Sequence, residues 1–488
     1  MFFNIFYSYM EVVFIMVNKK LSTVTLGTFI GMTIALAASI RNIPDVAAAG
    51  WPMFIYMGVA TFLFALPICL IAGEFGSTFP EQGGPELWVR NTLGDNFGFA
   101  TSWLLWTILF PGMVVVASAL PPLIATAINI PKLGTNNIFT LIVILVSFWG
   151  MTFLNRHFDM ARITGKWVDW IGIYIPFIVM TILGVAAVIK TGIHSNSILQ
   201  GCHPQNILPI GKEAKSLAFF SPIALIFEGI ELSSVYITRL KKKSYYPIGV
   251  LATLVFMLVL NVINGFMEAA IISPSKINLN NIVQPIVVYN QILGLPSWIN
   301  NVFSILVGIG VCVQLSAWVS GPGKTMLASA RDGYVTPKLK FWKKDRFGDS
   351  PSIMYVQAIV VSVFSCAYLL IPDINRAFLD LVNATSVIYC TVYVFMAIGF
   401  IKMRVTEPNL KSDFKVGNTF VAWLIGLVLI VTIGVIMVAT FIVGNLFNFL
   451  VVAIISAVII ILPFIFYHFK RPSWATEVKA LIKADNKN

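Results

Sequence analysis

The chain has 488 residues, of which 58% are hydrophobic and only 11% charged, with a mean hydropathy of +0.86 and a formal net charge of +12. No soluble core absorbs that much apolar sequence, which excludes the three soluble domains that length alone suggests. The alternating short strands of a membrane barrel are absent as well, so the fold class is an all-α polytopic membrane protein.

Residues 1–20 read as an amino-terminal cytoplasmic extension. Met1 to Val17 is apolar with a single Glu11, short for a span, and lacks the basic start and small-residue cleavage site of a signal peptide. Met16, followed by Val17-Asn18-Lys19-Lys20, makes an ordinary cytoplasmic start, which leaves residues 1–15 as an upstream or peripheral segment.

Apolar runs broken by Pro, Gly, Asn and charge clusters then predict twelve helices. They fall at about 22–48, 52–77, 97–128, 137–155, 167–190, 217–240, 245–272, 299–330, 352–371, 376–402, 419–443 and 446–469. The first span carries Ser39-Ile40-Arg41-Asn42-Ile43-Pro44-Asp45 in its middle, and the sixth carries Glu228-Gly229-Ile230-Glu231. Proline removes a backbone donor and glycine loosens a helix, and such polar backbone survives in a membrane only where it lines a cavity. Five helices separate the two breaks. That spacing predicts two five-helix inverted repeats, residues 21–190 and 217–402, with peripheral helices at 419–470 and a cytoplasmic tail at 471–488.

Topology follows from the basic residues. With the amino terminus inside, 26 of the 33 lysines and arginines fall on inner loops and inner helix ends, among them Arg239 to Lys243, Lys324 to Arg346 and Lys470 to Lys487. Six fall outside, and Arg41 lies within the first span. This asymmetry places both termini in the cytoplasm and accounts for the positive charge without nucleic acid. Anionic-lipid contact by Arg239 to Lys243 is secondary to that anchoring role.

Metal and redox chemistry find little support. Cys69, Cys312, Cys366 and Cys390 sit in predicted helices and Cys202 alone in a loop, with no CxxC pair. His157, His194, His203 and His468 lie in loops or at helix ends, which argues against a buried metal centre, a catalytic histidine and an integral membrane enzyme. No metal or cofactor is called for. A channel would need a repeated pore lining or filter motif, and none is visible.

Charges within the apolar runs mark the site, because an ionised group in hydrocarbon is kept only where protein or water receives it. Glu228 is suited to a substrate ammonium, and Arg41, with its planar fork of donors, to a carboxylate. An amino acid would then bind as a zwitterion. Two structural alternatives stand beside this reading: Arg41 bridging to Glu228, or to Asp45 one turn on. Glu231 fits a proton-linked or hydrogen-bonding role better than direct contact. Glu74, Glu81 and Glu86 read as gate or hydrogen-bond structure, and Glu268 and Asp380 as outer-end residues for which snorkelling and solvation suffice.

Two loop segments carry a family resemblance. Ala72-Gly73-Glu74-Phe75 through Pro80-Glu81-Gln82-Gly83-Gly84-Pro85, with Trp88-Val89-Arg90-Asn91-Thr92-Leu93-Gly94 and Gly98-Phe99, resembles the end of helix two and its following loop in the amino acid-polyamine-organocation superfamily. Ala317-Trp318-Val319-Ser320-Gly321-Pro322-Gly323-Lys324, running on to Ala330-Arg331-Asp332-Gly333 and Pro337, is similar to the superfamily's passage from helix eight to helix nine. The likeness covers about Leu21 to Lys470 and is closest to the glutamate/γ-aminobutyrate antiporter branch.

The resemblance implies a leucine-transporter-type fold of ten core helices plus two peripheral ones, and exchange of amino acids or their amines. The implied site lies between the breaks of helices one and six, closed by helices three, eight and ten. By position it takes Ser39, Ile40, Arg41, Asn42, Gly229, Trp318, Asn383 and Ser386, with Glu231 as the shared helix-six acid of proton or gating networks. Trp318 is an even match for a site aromatic or a core packer. Arg41 in place of a glycine-rich break, and Glu228 before the helix-six glycine, depart from the usual pattern and weigh against glutamate. Glutamate with γ-aminobutyrate, a neutral or aromatic amino acid with its amine, and agmatine with putrescine all stay open. So do exchange against proton- or sodium-coupled symport, and a monomer against a dimer.

Overall fold

A computed structural model describes residues 24–37, 39–80, 84–158, 160, 170–191, 206–209, 211–370, 373–442 and 446–485. The expected extension at 1–20 lies outside the described residues, as do Glu81, Arg162, Lys166, His194, Cys202 and His203.

The first predicted span is two helices, α1 (Leu26–Ala37) and α2 (Ile43–Ala48). Between them Ser39 takes an extended conformation and its hydroxyl accepts the Arg41 amide at 3.3 Å, opening a single turn of 3-10 helix over Ile40–Asn42. Pro44 then occupies the first turn of α2, where its missing N–H costs nothing.

Next come α3 (Met53–Thr78), α4 (Pro85–Leu93), α5 (Asp95–Ala127), α6 (Asn137–His157) and α7 (Trp170–Thr191). Within α3, Ala60–Ala65 is a π turn, and Pro67, which lacks an N–H, follows in the first turn of the α-helix that resumes at Leu66. The most apolar stretch of α5 is 94% buried, against 28% for α6. One is therefore a central post and the other faces outward.

Span six begins as α8 (Phe220–Leu225) and resumes as 3-10 helix over Ile230–Arg239. Gly229 separates the halves with φ +89°, a left-handed conformation that a side chain strains. Its far end is tied to the first span: the Val24 amide donates to the Arg239 carbonyl at 2.8 Å and the Lys241 amide to the Val24 carbonyl at 3.0 Å. The two broken spans thus share one end.

The remaining helices are α9 (Tyr245–Ile271), α10 (Gln284–Leu293), α11 (Trp298–Ser320), α12 (Gly323–Arg331), α13 (Pro351–Leu370), α14 (Ile374–Thr406), α15 (Thr419–Ile442), α16 (Leu446–His468) and α17 (Ser473–Asp485). Among the described residues ten helices are long and apolar enough to cross a membrane, and the end of α16 together with α17, bent by 87°, would make eleven. The first span misses that test because its break leaves only 12- and 6-residue pieces. The tail expected at 471–488 contains α17, held by Lys343 to Asp485 at 2.7 Å and packed on Gly333 through Ala475. The loops between the predicted spans hold α4 and α10, and the predicted eighth helix, 299–330, divides at Gly321 into α11 and α12.

Candidate functional site

Helix α14 serves as a ruler for the site, because side chains from both breaks and from α5 and α11 meet it at successive levels. Near its start the Arg41 guanidinium lies 5.5 Å from the Phe378 ring centre. In its middle, a methyl placed on Gly112 of α5 would come within 3.2 Å of Trp318 and 3.5 Å of Thr385, so these three helices approach closely there. Deeper still, Tyr389 and Tyr393 face the second break.

Arg41, Asn42 and Asp45 are all buried. Arg41 Nη2 donates to Asn42 Oδ1 at 2.6 Å, while Nε and Nη1 have no hydrogen-bond partner. A small cavity runs beside the break, lined by Ser39, Ile40 and Arg41, by Gly172 and Ile173 of α7, and by Val311 and Gln314 of α11. Among the described residues Arg41 makes no ion pair within 4 Å, so neither structural bridge, to Glu228 or to Asp45, is formed.

Glu228 is buried and neither of its carboxylate oxygens has a hydrogen-bond partner. Glu231 is the opposite case. Its Oε1 accepts from the Tyr389 hydroxyl at 3.1 Å, its Oε2 from the Tyr393 hydroxyl at 2.9 Å, and its backbone carbonyl from the Tyr246 hydroxyl at 3.1 Å. The Gly229 amide, freed by the helix break, donates to Tyr393 at 3.1 Å. Tyr389 and Tyr393 stand one turn apart with rings stacked at 5.0 Å. Through these hydrogen bonds Glu231 joins the second break to α14.

Trp318 is half-buried against Gly112, Ser386 is buried with its hydroxyl unpaired, and Asn383 is half-buried with an unpaired Oδ1. Glu228 interacts with Cys390 and with both tyrosines, whereas Arg41 stands at Phe378. Twelve residues of α14 separate Phe378 from Cys390, about 18 Å of helix rise. The two charged groups thus belong to opposite ends of one polar seam rather than to a single contact.

Glu268 departs from the sequence expectation. It is fully buried rather than snorkelling, because α2 packs along this end of α9, and neither carboxylate oxygen is hydrogen bonded. Asp380, by contrast, is half-buried and pairs with Arg376 at 3.6 Å. Tyr389, Tyr393 and Tyr289 were invisible to sequence reasoning, since an aromatic in an apolar span looks like packing. The four-residue spacing of Tyr389 and Tyr393 opposite a helix-six acid was the available signal.

At the end of the bundle bearing the basic loops, Arg90 on α4 bonds Asp332 at 2.8 Å and Glu86 at 3.1 Å and lies over the Tyr334 ring. Burial pushes the Glu86 carboxyl up to about 7, Arg90 opposing the rise and Asp332 adding to it. A second lock joins α3 to α14 and the segment after it: Arg404 Nε lies 3.0 Å from Glu74 Oε1, and Glu74 Oε2 accepts the Val416 amide at 2.7 Å. The first lock falls within the loop segments on which the family resemblance rests, and the second takes Glu74 from them.

Comparison with known proteins agrees with that resemblance. The amino acid permease family matches residues 14–470. The chain belongs to this family. An uncharacterized transporter of Legionella pneumophila is 27% identical over 421 residues, covering 84% of this chain and 88% of the relative. A glutamate/γ-aminobutyrate antiporter of Lactococcus lactis is 27% identical over 422 residues, covering 83% and 81%. The crystal structure of MhsT in complex with L-phenylalanine superposes with a TM-score of 0.58 at 14% identity, over 85% of this chain and 98% of MhsT. The helical architecture of this permease is therefore shared with a solved protein, while substrate and coupling are matters for its own residues.

Proposed function

We propose that this permease is a secondary active transporter of the cell membrane, exchanging an amino acid for its decarboxylated amine by alternating access. In this reading twelve spans form two inverted five-helix repeats plus two peripheral helices, with both termini in the cytoplasm. One observation carries the substrate assignment: Arg41 and Glu228, on two separate helix breaks, are both buried, of opposite charge and not paired to each other. A buried charge left without its counterpart is strongly destabilising, so a ligand that supplies both counter-charges binds with a large electrostatic contribution.

Glu228 takes the ammonium and Arg41 a carboxylate, with Ser39, Ile40, Asn42 and Gly229 of the two breaks flanking them. Trp318, Asn383 and Ser386 line the seam between. The separation of the two charges along α14 exceeds the span of an extended ω-amino acid, so in this reading a substrate with well-separated ammonium and carboxylate, an ω-amino acid or an amino acid with a side-chain carboxylate, meets both groups only as the two breaks close on it. Such a pair also differs by one carboxyl group, which fits exchange of an acid for its amine.

A counterflow panel in proteoliposomes tests this. Uptake of labelled glutamate, γ-aminobutyrate, agmatine or phenylalanine should require the same or a related compound preloaded inside. Uptake into empty vesicles driven by sodium or protons alone would instead establish symport, a second reading to which the buried Asp45 and Glu268 lend support.

A further inference from the structure

Away from the seam, three buried polar side chains from three different elements converge at the end of the bundle opposite the basic loops. Asp45 on α2 and Glu268 on α9 are 1% and 0% exposed, and Tyr289 on α10 is 0% exposed. Asp45 Oδ1, both carboxylate oxygens of Glu268 and the Tyr289 hydroxyl all lack hydrogen-bond partners.

Packing sets this convergence. Gly265, one turn before Glu268, backs so closely on Val46 that a methyl there would sit 2.6 Å from Val46 Cγ1, which brings the Glu268 face of α9 onto α2 beside Asp45. A methyl on Gly184 of α7 would meet Met267 at 3.1 Å and the Tyr289 ring at 3.3 Å, so α7, α9 and α10 close the third side. Among ionisable groups, Asp45 from α2 acts on Glu268, Glu268 acts in turn on Tyr289 from α10, and Arg41 acts on Asp45. The polar neighbour from α7, Thr181, is committed to Asn264.

We propose that Asp45, Glu268 and the Tyr289 hydroxyl form a binding site for one monovalent cation, a proton or a sodium ion, that couples to transport. Charge counting sets the valence: Arg41, Asp45 and Glu268 together leave one negative charge in a buried volume, and burial tolerates an ion only when it is compensated. The coupling rests on the substrate reading above. When a substrate carboxylate engages Arg41, it draws the guanidinium's charge away from Asp45, so the cation binds more tightly, and by linkage the cation strengthens the carboxylate's binding. A substrate with no carboxylate lacks this coupling.

The test uses the full-length chain with sodium alone, protons alone and labelled glutamate. Purified protein is melted in sodium chloride and in choline chloride at matched ionic strength, and across pH, for wild type, Glu268→Gln, Asp45→Asn and Tyr289→Phe. The site predicts that wild type is stabilised by sodium, or by acid beyond the response that Glu86 gives every variant, and that Glu268→Gln and Asp45→Asn lose that increment. In proteoliposomes preloaded with exchange substrate, the ratio of glutamate uptake with an imposed cation gradient to uptake without one should fall roughly tenfold in both, the size of an ordinary coupling energy. The sodium and proton arms separate the two ions. Wild-type responses retained in both carboxyl variants, or a wild type indifferent to both ions, would overturn the site. Should no probe be transported at all, the substrate reading fails, and the melting arm still decides the cation site on its own.

Discussion

Two tyrosine hydroxyls fix the acid at the helix-six break, and the consequence is open to measurement at single residues. Replacing Tyr393 with Phe removes the donor to Glu231 and the acceptor of the Gly229 amide while keeping the ring that packs on Phe64. A hydrogen bond to a charged group contributes about 1.5–3 kcal/mol, so Tyr393→Phe should lower the thermal midpoint and slow exchange, with Tyr389→Phe doing less because it loses one contact. At the basic end of the bundle, Glu86 titrates near 7 when folded against an ordinary 4.5. The folded state therefore holds that proton more tightly than the unfolded chain, and stability falls as pH rises between about 4.5 and about 7 and is level above. Melting curves of Glu86→Gln across that range should be flatter than those of wild type.

At the scale of elements, the two breaks rest on different chemistry, and so respond differently to change. The first is made by Ser39 capping and Pro44, the second by the left-handed Gly229. Gly229→Ala imposes about 1–2 kcal/mol of backbone strain and sets a methyl 3.5 Å from the Tyr389 hydroxyl. Exchange should fall sharply in counterflow assays while the protein still inserts and melts cooperatively, whereas Gly58→Ala, which meets nothing within 4 Å, should be silent.

These breaks were legible in the sequence because proline, glycine and charge interrupt an apolar run in ways few other structures tolerate. Span positions were legible for the same reason, and the helices stand within a few residues of them. Glu268 was misread because its distance from the span end was visible and the packing of α2 against it was not. The tyrosines of α14 were missed because their polar atoms sit on side chains that packing alone explains. Asp45 and Glu268 lie more than two hundred positions apart in the chain, so nothing in the local pattern announced their meeting.

The whole molecule joins its two broken spans at one end and locks its loops there. The backbone pairing of Val24 with Arg239 and Lys241 links the two spans at that end. The lock of Glu74 on Arg404 and Val416 ties α3 to α14 and is nearly dry, with side chains 2% and 3% exposed. Arg404→Ala leaves Glu74 buried without its counter-charge, a loss of about 3–5 kcal/mol that should appear as a clear drop in melting temperature. Arg404→Lys, which keeps the charge but not the fork that also reaches the Val416 and Gly417 carbonyls, should recover only part of it.

The central claim is that one substrate answers two buried charges on two helix breaks, and counterflow by two variants tests it most directly. Glu228→Gln should weaken transport of every amine-bearing probe, glutamate, γ-aminobutyrate and agmatine alike, by roughly ten- to a hundredfold, as the loss of a charged hydrogen bond implies. Arg41→Ala should weaken glutamate and γ-aminobutyrate to the same degree while sparing agmatine, which has no carboxylate to place there. Agmatine exchange that survives in Glu228→Gln and vanishes in Arg41→Ala would contradict the assignment.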